Sequence, residues 1–265
     1  MSRIYRWILI AVLPSAAAWA VLPQSALDEP GLGEPLFVAH AGGRVLGRAY
    51  TNSFEALEEN YARGFRVFEL DFSWTADQQL VLLHDWEASW RRLAPKHWHG
   101  RVPNLAEFSL IDSPTGLRLM SLDDLLAWMQ ERPAARIITD VKRNNIAGLE
   151  QIASRIPTEL KHRFLVQIYA PEELPSVRQL GFEQVLFTVY RSTLSVSTIE
   201  RFARDAGLTG LVLPLYRAER GDFNALRGAT DLPLLVHTIN DPITGQWLLE
   251  QGYAGLYTDD LLPRE

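Results

Sequence analysis

The chain has no cysteine. That excludes a disulfide framework, a thiolate metal centre, a cysteine nucleophile and lipid attachment through a thiol. An excess of positive charge is also missing. Lys and Arg number 26 against 32 Asp and Glu, a net charge of −6, which argues against a general polyanion binder. No nucleic-acid-binding module is legible, so no nucleic-acid partner is expected. No Gly-rich phosphate loop of the P-loop or dinucleotide type occurs, because Gly42-Gly43 is too short a run. No internal repeat is sharp enough to suggest a solenoid. What is present is an ordinary globular composition, 47% hydrophobic and 22% charged over 265 residues.

The N-terminal segment reads as an address. Arg3 and Arg6 precede the apolar run Trp7–Leu13, and Ala18-Trp19-Ala20 forms a small-x-small cleavage pattern. Residues 1–20 are therefore expected to be an export signal peptide. The alternative is a membrane anchor, because Trp7–Leu22 approaches the roughly 20 apolar residues that a span needs. Either reading places the folded part outside the cytoplasm, periplasmic or extracellular. Residues 21–35, with Pro23, Pro30, Gly31 and Gly33, read as a tether.

From residue 36 to 265 strand and helix patterns alternate. Strand segments are expected at Leu36–Ala39, Phe65–Phe72, Leu80–Leu83, Arg136–Val141, Phe164–Tyr169, Val185–Tyr190, Leu208–Leu215, Leu232–Ile239 and Gly255–Thr258. Asn52-Ser-Phe-Glu55 reads as a capping box with Asn52 as N-cap, opening a helix that Gly64 stops. Further helices are expected over Ser121–Gln130, Ile146–Ile156, Pro171–Leu180, Ser195–Ala206, Asp222–Arg227 and Pro242–Gln251. Such alternation in a chain of this length points to an α/β fold, a single-domain (β/α)₈ TIM barrel. An open doubly wound sheet is the runner-up.

In a barrel, chemistry sits at the carboxyl ends of strands. His40 ends the first strand, Glu69 and Asp71 lie two apart on the second, His84-Asp85 closes the Leu80 segment, and Asp140 and Lys142 repeat the spacing of two. A period of two puts each such pair on one face. Glu69, Asp71 and Asp140 turned inward together repel one another unless a cation lies between them. Oxygen ligands of this kind suit Ca²⁺ or Mg²⁺. His40 and His84 fit acid/base work better than zinc binding. A lysine beside a cation points to an anionic substrate. His237 and Asn240 end another strand and are expected to line the pocket, and Asp259 is a candidate support.

Taken in order, His40-Ala-Gly-Gly43, Asn52-Ser-Phe-Glu-Ala-Leu57, Glu69-Leu-Asp71, Leu80-Val-Leu-Leu-His-Asp85, Asp140-Val-Lys142, Thr238-Ile-Asn240 and Thr258-Asp259 resemble the glycerophosphodiester phosphodiesterase family. The resemblance runs across residues 37–260. It implies a barrel enzyme that hydrolyses a phosphodiester, a glycerophosphodiester above all, to an alcohol and glycerol phosphate. It further implies one divalent cation on Glu69, Asp71 and Asp140, acid/base catalysis by His40 and His84, and Lys142 on the phosphate oxygens. Three positions depart from the family pattern. Ala41 replaces an arginine, so one phosphate contact is either missing or supplied from the same loop by Arg44 or Arg48. Asp140 replaces a glutamate, and His237 replaces a tryptophan. Two other readings keep the fold: phospholipase C- or D-like action on intact lipid, and a barrel that binds without catalysis.

Residues 86–117 separate His84 from the next helix and read as a loop insert. The insert contains the most basic stretch, Arg91 to Arg101. It is expected over the barrel mouth, as a cationic aromatic lid that draws in a small phosphodiester or lipid headgroup. That loop and residues 7–22 are the candidate points of membrane association. His97-x-His99 sits in a Pro- and Arg-containing loop and is not expected to bind zinc.

Overall fold

A computed structural model describes residues 35–227 and 230–263. The expected signal or anchor at 1–20, and the tether apart from Pro35, lie outside the described residues. Among the described residues no helix is long and apolar enough to cross a membrane.

Eight parallel strands close into a barrel. They are β1 (Leu36–Ala39), β2 (Val67–Trp74), β4 (Arg136–Val141), β5 (Phe164–Ile168), β6 (Val185–Thr188), β7 (Gly210–Pro214), β8 (Leu234–His237) and β9 (Gly255–Thr258). Each pairs with its neighbour in that order, and β1 closes the ring by pairing with both β9 and β2. The remaining strand, β3 (Leu80–Leu82), is not a barrel stave. It folds back antiparallel on the end of β2, with Trp74 opposite Leu80. The short connection over residues 75–79 makes the two strands a hairpin, which an antiparallel pair permits. His84 therefore follows a hairpin rather than a barrel strand, which corrects its expected place.

The helices are α1 (Phe54–Ala62), α2 (Ala88–Leu93), α3 (Leu105–Phe108), α4 (Leu122–Glu131), α5 (Asn145–Arg155), α6 (Leu174–Gln179), α7 (Val196–Asp205), α8 (Leu215–Glu219) and α9 (Pro242–Glu250). Two expectations fail here. Asp222–Arg227 forms turns rather than a helix, and α8 precedes it. Gly221 (φ 73°) and Phe223 (φ 65°) are left-handed, which no continuous right-handed helix tolerates. Asn52 is not the N-cap of α1. Ser53 caps it through Oγ on the Ala56 N–H at 3.3 Å, because the Asn52 side chain is engaged elsewhere.

Because the strands are buried on both faces, alternate residues fill two cores. Outward residues such as Phe68, Leu70, Phe72 and Ile137 pack under the helices. Inward residues Leu36, Val38, Val67, Ile138, Leu165, Leu186, Val212 and Leu235 plug the barrel. Residues 86–117, expected as a loop insert, carry α2 and α3. Trp90, fully buried, stacks on Phe108 (6.0 Å, 16°), and a separate small core adds Leu93, Leu117, Val81 and Leu83.

Gly255 faces Leu36 across the β1–β9 seam. A Cβ there would lie 2.7 Å from the Leu36 carbonyl oxygen and 2.9 Å from its Cβ. Gly255→Ala is therefore expected to destabilise the fold by about 1–3 kcal/mol through overpacking. Denaturant titration of the two proteins checks this, and an unchanged midpoint would show that the seam can open.

Candidate functional site

The same period of two that builds the plug builds the site above it. Two residues beyond the plug positions Val38, Val67, Ile138, Leu165, Leu186 and Leu235 stand His40, Glu69, Asp140, Gln167, Thr188 and His237. These residues, with Tyr190 and Tyr257, line a cavity of about 30 Å³ at the barrel axis, room for one water molecule. Glu69, Asp71 and Asp140 are buried, and one oxygen from each lies within 4.8 Å of the others. Asp71 pairs with Asp140 in the β2–β4 register. Among the described residues this is the grouping able to hold a metal ion.

Each carboxylate is fixed from outside the trio. Glu69 Oε2 accepts the Ala41 backbone N–H at 2.9 Å. Ala41 is left-handed (φ 49°) and its methyl is fully buried. Its contribution is thus its backbone. Asn52 clamps Asp71 twice, donating Nδ2 to Oδ2 at 2.8 Å and accepting the Asp71 N–H at 2.9 Å. Asp140 accepts the Tyr169 hydroxyl through Oδ1. Lys142 Nζ bridges Asp71 Oδ1 at 2.5 Å and Asp140 Oδ2 at 2.7 Å.

The protonation pattern shows a deficit of positive charge. Burial, and then Asp71 beside it, pushes Glu69 up to about 8. Burial acts the same way on Asp71, but Lys142, His84 and His40 hold it below the usual carboxylate range. Burial would discharge Lys142, yet Asp71 and Asp140 keep it firmly protonated. Three buried carboxylates and one ammonium therefore favour one more cation or one proton on Glu69. Hard oxygen donors that retain free lone pairs fit Ca²⁺ or Mg²⁺.

Both candidate acid/base histidines are held at Nδ1 by an aspartate. His40 meets Asp259 Oδ1 at 2.9 Å, and Asn240 steadies Asp259 through Nδ2 on Oδ2 at 2.7 Å. Burial opposes the charged imidazole of His40, but Asp259, Glu69 and Asp71 raise its pKa to about 9. His40 Nε2 lies 3.9 Å from Glu69 Oε2. His84 meets Asp85 Oδ2 at 2.8 Å. Tyr50 is wedged between the rings, edge-on to His40 at 4.6 Å and to His84 at 5.3 Å. His237 lines the axial cavity. Burial and the charge of His40 lower its pKa to about 4, and its Nε2 has no hydrogen-bond partner.

The fold does not bring every expected residue inward. Arg44 is committed to Asp260 and the Gly47 carbonyl on the exposed rim, and Arg48 is exposed. Neither guanidinium lines the axial cavity, and Arg44 pairs with Asp260 instead. Asn240 acts on Asp259 rather than facing the trio. The insert contributes Trp86, Glu87 and Val102 to a cleft of about 410 Å³ whose other walls include Trp74, His84, Lys142 and Arg143. Its basic side chains Arg91, Arg92 and Lys96 stay exposed and do not line that cleft. His99 Nε2 lies 3.1 Å from the Ala94 carbonyl oxygen.

No local signal in the sequence points to Tyr50, Tyr169 or the second role of Asn52. Tyr50 lies in a loop without periodicity, Tyr169 ends an apolar strand segment, and Asn52 mimics a helix cap in sequence. Asp85 was legible only as the neighbour of His84.

No protein-family model matches the chain, and no curated protein matches it in sequence. Solved structures do. A phosphodiesterase of Oleispira antarctica, in complex with the product sn-glycerol-3-phosphate, aligns at TM-score 0.66 and 19% identity, over 85% of this chain and 93% of that one. A glycerophosphodiester phosphodiesterase from Thermotoga maritima aligns at TM-score 0.66 and 16% identity, over 85% and 95%. Another from Parabacteroides distasonis aligns at TM-score 0.65 and 19% identity, over 86% and 94%. These likenesses establish the fold. The (β/α)₈ barrel is shared over nearly the whole described chain.

Asp85 has a second task. Besides orienting His84, it accepts the N–H of Glu87 at 2.9 Å and of Ser89 at 3.1 Å, capping α2. Burial alone would raise its pKa, but His84, Ser89 and these backbone donors lower it to about 2. A carboxylate depressed on folding stabilises above its unfolded pKa and loses that contribution as pH falls through the folded value. Asp85→Asn is therefore expected to be less stable than the parent at pH 7, with the gap closing between about pH 4 and pH 2. Denaturant midpoints across that range test it; a gap independent of pH would show that the carboxylate charge is not what matters.

Proposed function

We propose that this protein is a metal-dependent phosphodiesterase acting on glycerophosphodiesters. The observation that carries this reading is the buried trio Glu69, Asp71 and Asp140, flanked by two aspartate-held histidines that share Tyr50. The likeness to phosphodiesterases of this fold supports it.

Glu69, Asp71 and Asp140 would hold one Ca²⁺ or Mg²⁺. Bound there, the ion supplies positive charge that polarises the phosphoryl oxygens. Lys142, on the same two aspartates, adds charge as it builds on the non-bridging oxygens. His40 and His84 each have Nδ1 occupied, which leaves Nε2 for proton transfer. His84 borders the 410 Å³ cleft, where an alcohol has room, while the axial cavity holds about 30 Å³. The two histidines are accordingly placed to serve opposite oxygens of the ester, one taking the proton of the attacking oxygen and the other protonating the departing alkoxide. The P–O bond to the attacking oxygen forms as the bond to the alcohol breaks; the attacking oxygen gives up one proton and the leaving oxygen receives one. Residues 1–20, taken as an export segment, would carry this activity outside the cytoplasm.

Chelator-stripped protein is expected to be inactive on a panel of glycerophosphocholine, glycerophosphoethanolamine and bis(p-nitrophenyl) phosphate, and to recover with Ca²⁺ or Mg²⁺. If no member is cleaved with either ion, the proposal fails. His84→Ala is expected to lower turnover by roughly 10²–10⁴-fold while divalent-ion affinity persists. Retained turnover would remove His84 from the mechanism.

A further inference from the structure

One guanidinium at the barrel mouth has no part in the scheme above. Arg191 follows β6, which stands across the closed ring from β1 and its His40. Its guanidinium carbon lies 4.2 Å from the centroid of the Tyr169 ring and 5.0 Å from that of Tyr190. Its Nη2 is 3.8 Å from Asp140 Oδ1, beyond hydrogen-bond distance. That oxygen is taken by the Tyr169 hydroxyl, and Asp140 Oδ2 by Lys142. Arg191 also interacts with the Tyr190 side chain. The result is a cation beside the carboxylate trio whose contact with Asp140, at 3.8 Å, is an ion pair without a hydrogen bond. Its side chain is 36% exposed, so the fork remains accessible from the mouth.

Such an arrangement is poorly explained as charge balance for Asp140, which Lys142 already serves at 2.7 Å. It is well explained as a waiting anion site. Stacking on two rings fixes the guanidinium plane in advance, so less rotamer freedom is lost when an anion arrives. A guanidinium matches two oxygens of a phosphoryl group, which an ammonium cannot do. The other arginines near the first loop do not compete, since Arg44 is paired with Asp260 and residue 41 is an alanine.

We propose that Arg191 is a phosphoryl-binding residue, closing on the non-bridging oxygens of a phosphate ester from the β6 side while Lys142 approaches from β4. This rests on the phosphodiesterase reading for the identity of the substrate, but the anion site itself can be measured separately. The probe is inorganic phosphate, titrated by calorimetry into the full chain with Mg²⁺ present, together with Mg²⁺ titration alone. Arg191→Ala is expected to weaken phosphate binding about tenfold or more, to leave Mg²⁺ affinity within about twofold, and to raise KM more than it lowers kcat. Arg191→Lys should recover part of the phosphate affinity. A parallel loss of Mg²⁺ affinity would overturn the proposal, because Arg191 would then act only by bracing Tyr169 on Asp140. Unchanged phosphate affinity in Arg191→Ala, or no phosphate binding by the parent protein, would overturn it too. If the parent cleaves no diester yet loses phosphate affinity with Arg191→Ala, the enzyme reading fails and the anion site stands.

Discussion

The inward register of eight parallel strands is the constraint on which everything else depends. With a period of two, the residues that plug the barrel and those that form the site belong to one face of each strand. Val67 and Glu69, Ile138 and Asp140, Leu235 and His237 are successive inward positions. A slip of one residue would turn the carboxylates under the helices and the phenylalanines into the barrel. The plug therefore does more than stabilise. Closing the ring through β1 and β9, at a seam too tight for a side chain at position 255, locks the height at which Glu69, Asp71 and Asp140 meet.

Holding three carboxylates at that height is electrostatically unfavourable, and the surroundings reflect it. Lys142 bridges two of them, Asn52 and the Ala41 backbone donate to Asp71 and Glu69, and Tyr169 donates to Asp140. Even so, Glu69 is pushed up to about 8 by burial and by Asp71. The first loop turns through left-handed residues at Ala41, Tyr50 and Asn52 to deliver these contacts. Strained backbone of this kind persists where the surrounding contacts over-determine it. The two histidines differ in setting. His40 is buried and braced by Asp259 and Asn240, whereas His84 stands beside the cleft that the hairpin and insert create.

Much of the fold was legible because parallel strands and amphipathic helices announce themselves locally. Nine strand segments appeared in the sequence, and each has a counterpart. What the sequence could not say was that Leu80–Leu82 pairs backwards, since a short apolar run looks the same in either direction. The failed helix at Asp222–Arg227 has a similar cause: left-handed turns at Gly221 and Phe223 override local composition. Residues 86–117 looked like a basic lid, yet their aromatics build a small core with Val81 and Leu83, and Arg91, Arg92 and Lys96 do not line the cleft.

The sequence by itself determined the (β/α)₈ alternation, the spacing of two between Glu69 and Asp71 and between Asp140 and Lys142, and the adjacency of His84 to Asp85. These are local facts, set by the pleat and by covalent neighbours. Only the tertiary structure decided that Asn52 clamps Asp71, that Tyr50 stands between His40 and His84, and that Arg191 rather than Arg44 faces the carboxylates. Those partners are brought together by closure of the ring, which joins residues that no local pattern in the chain relates.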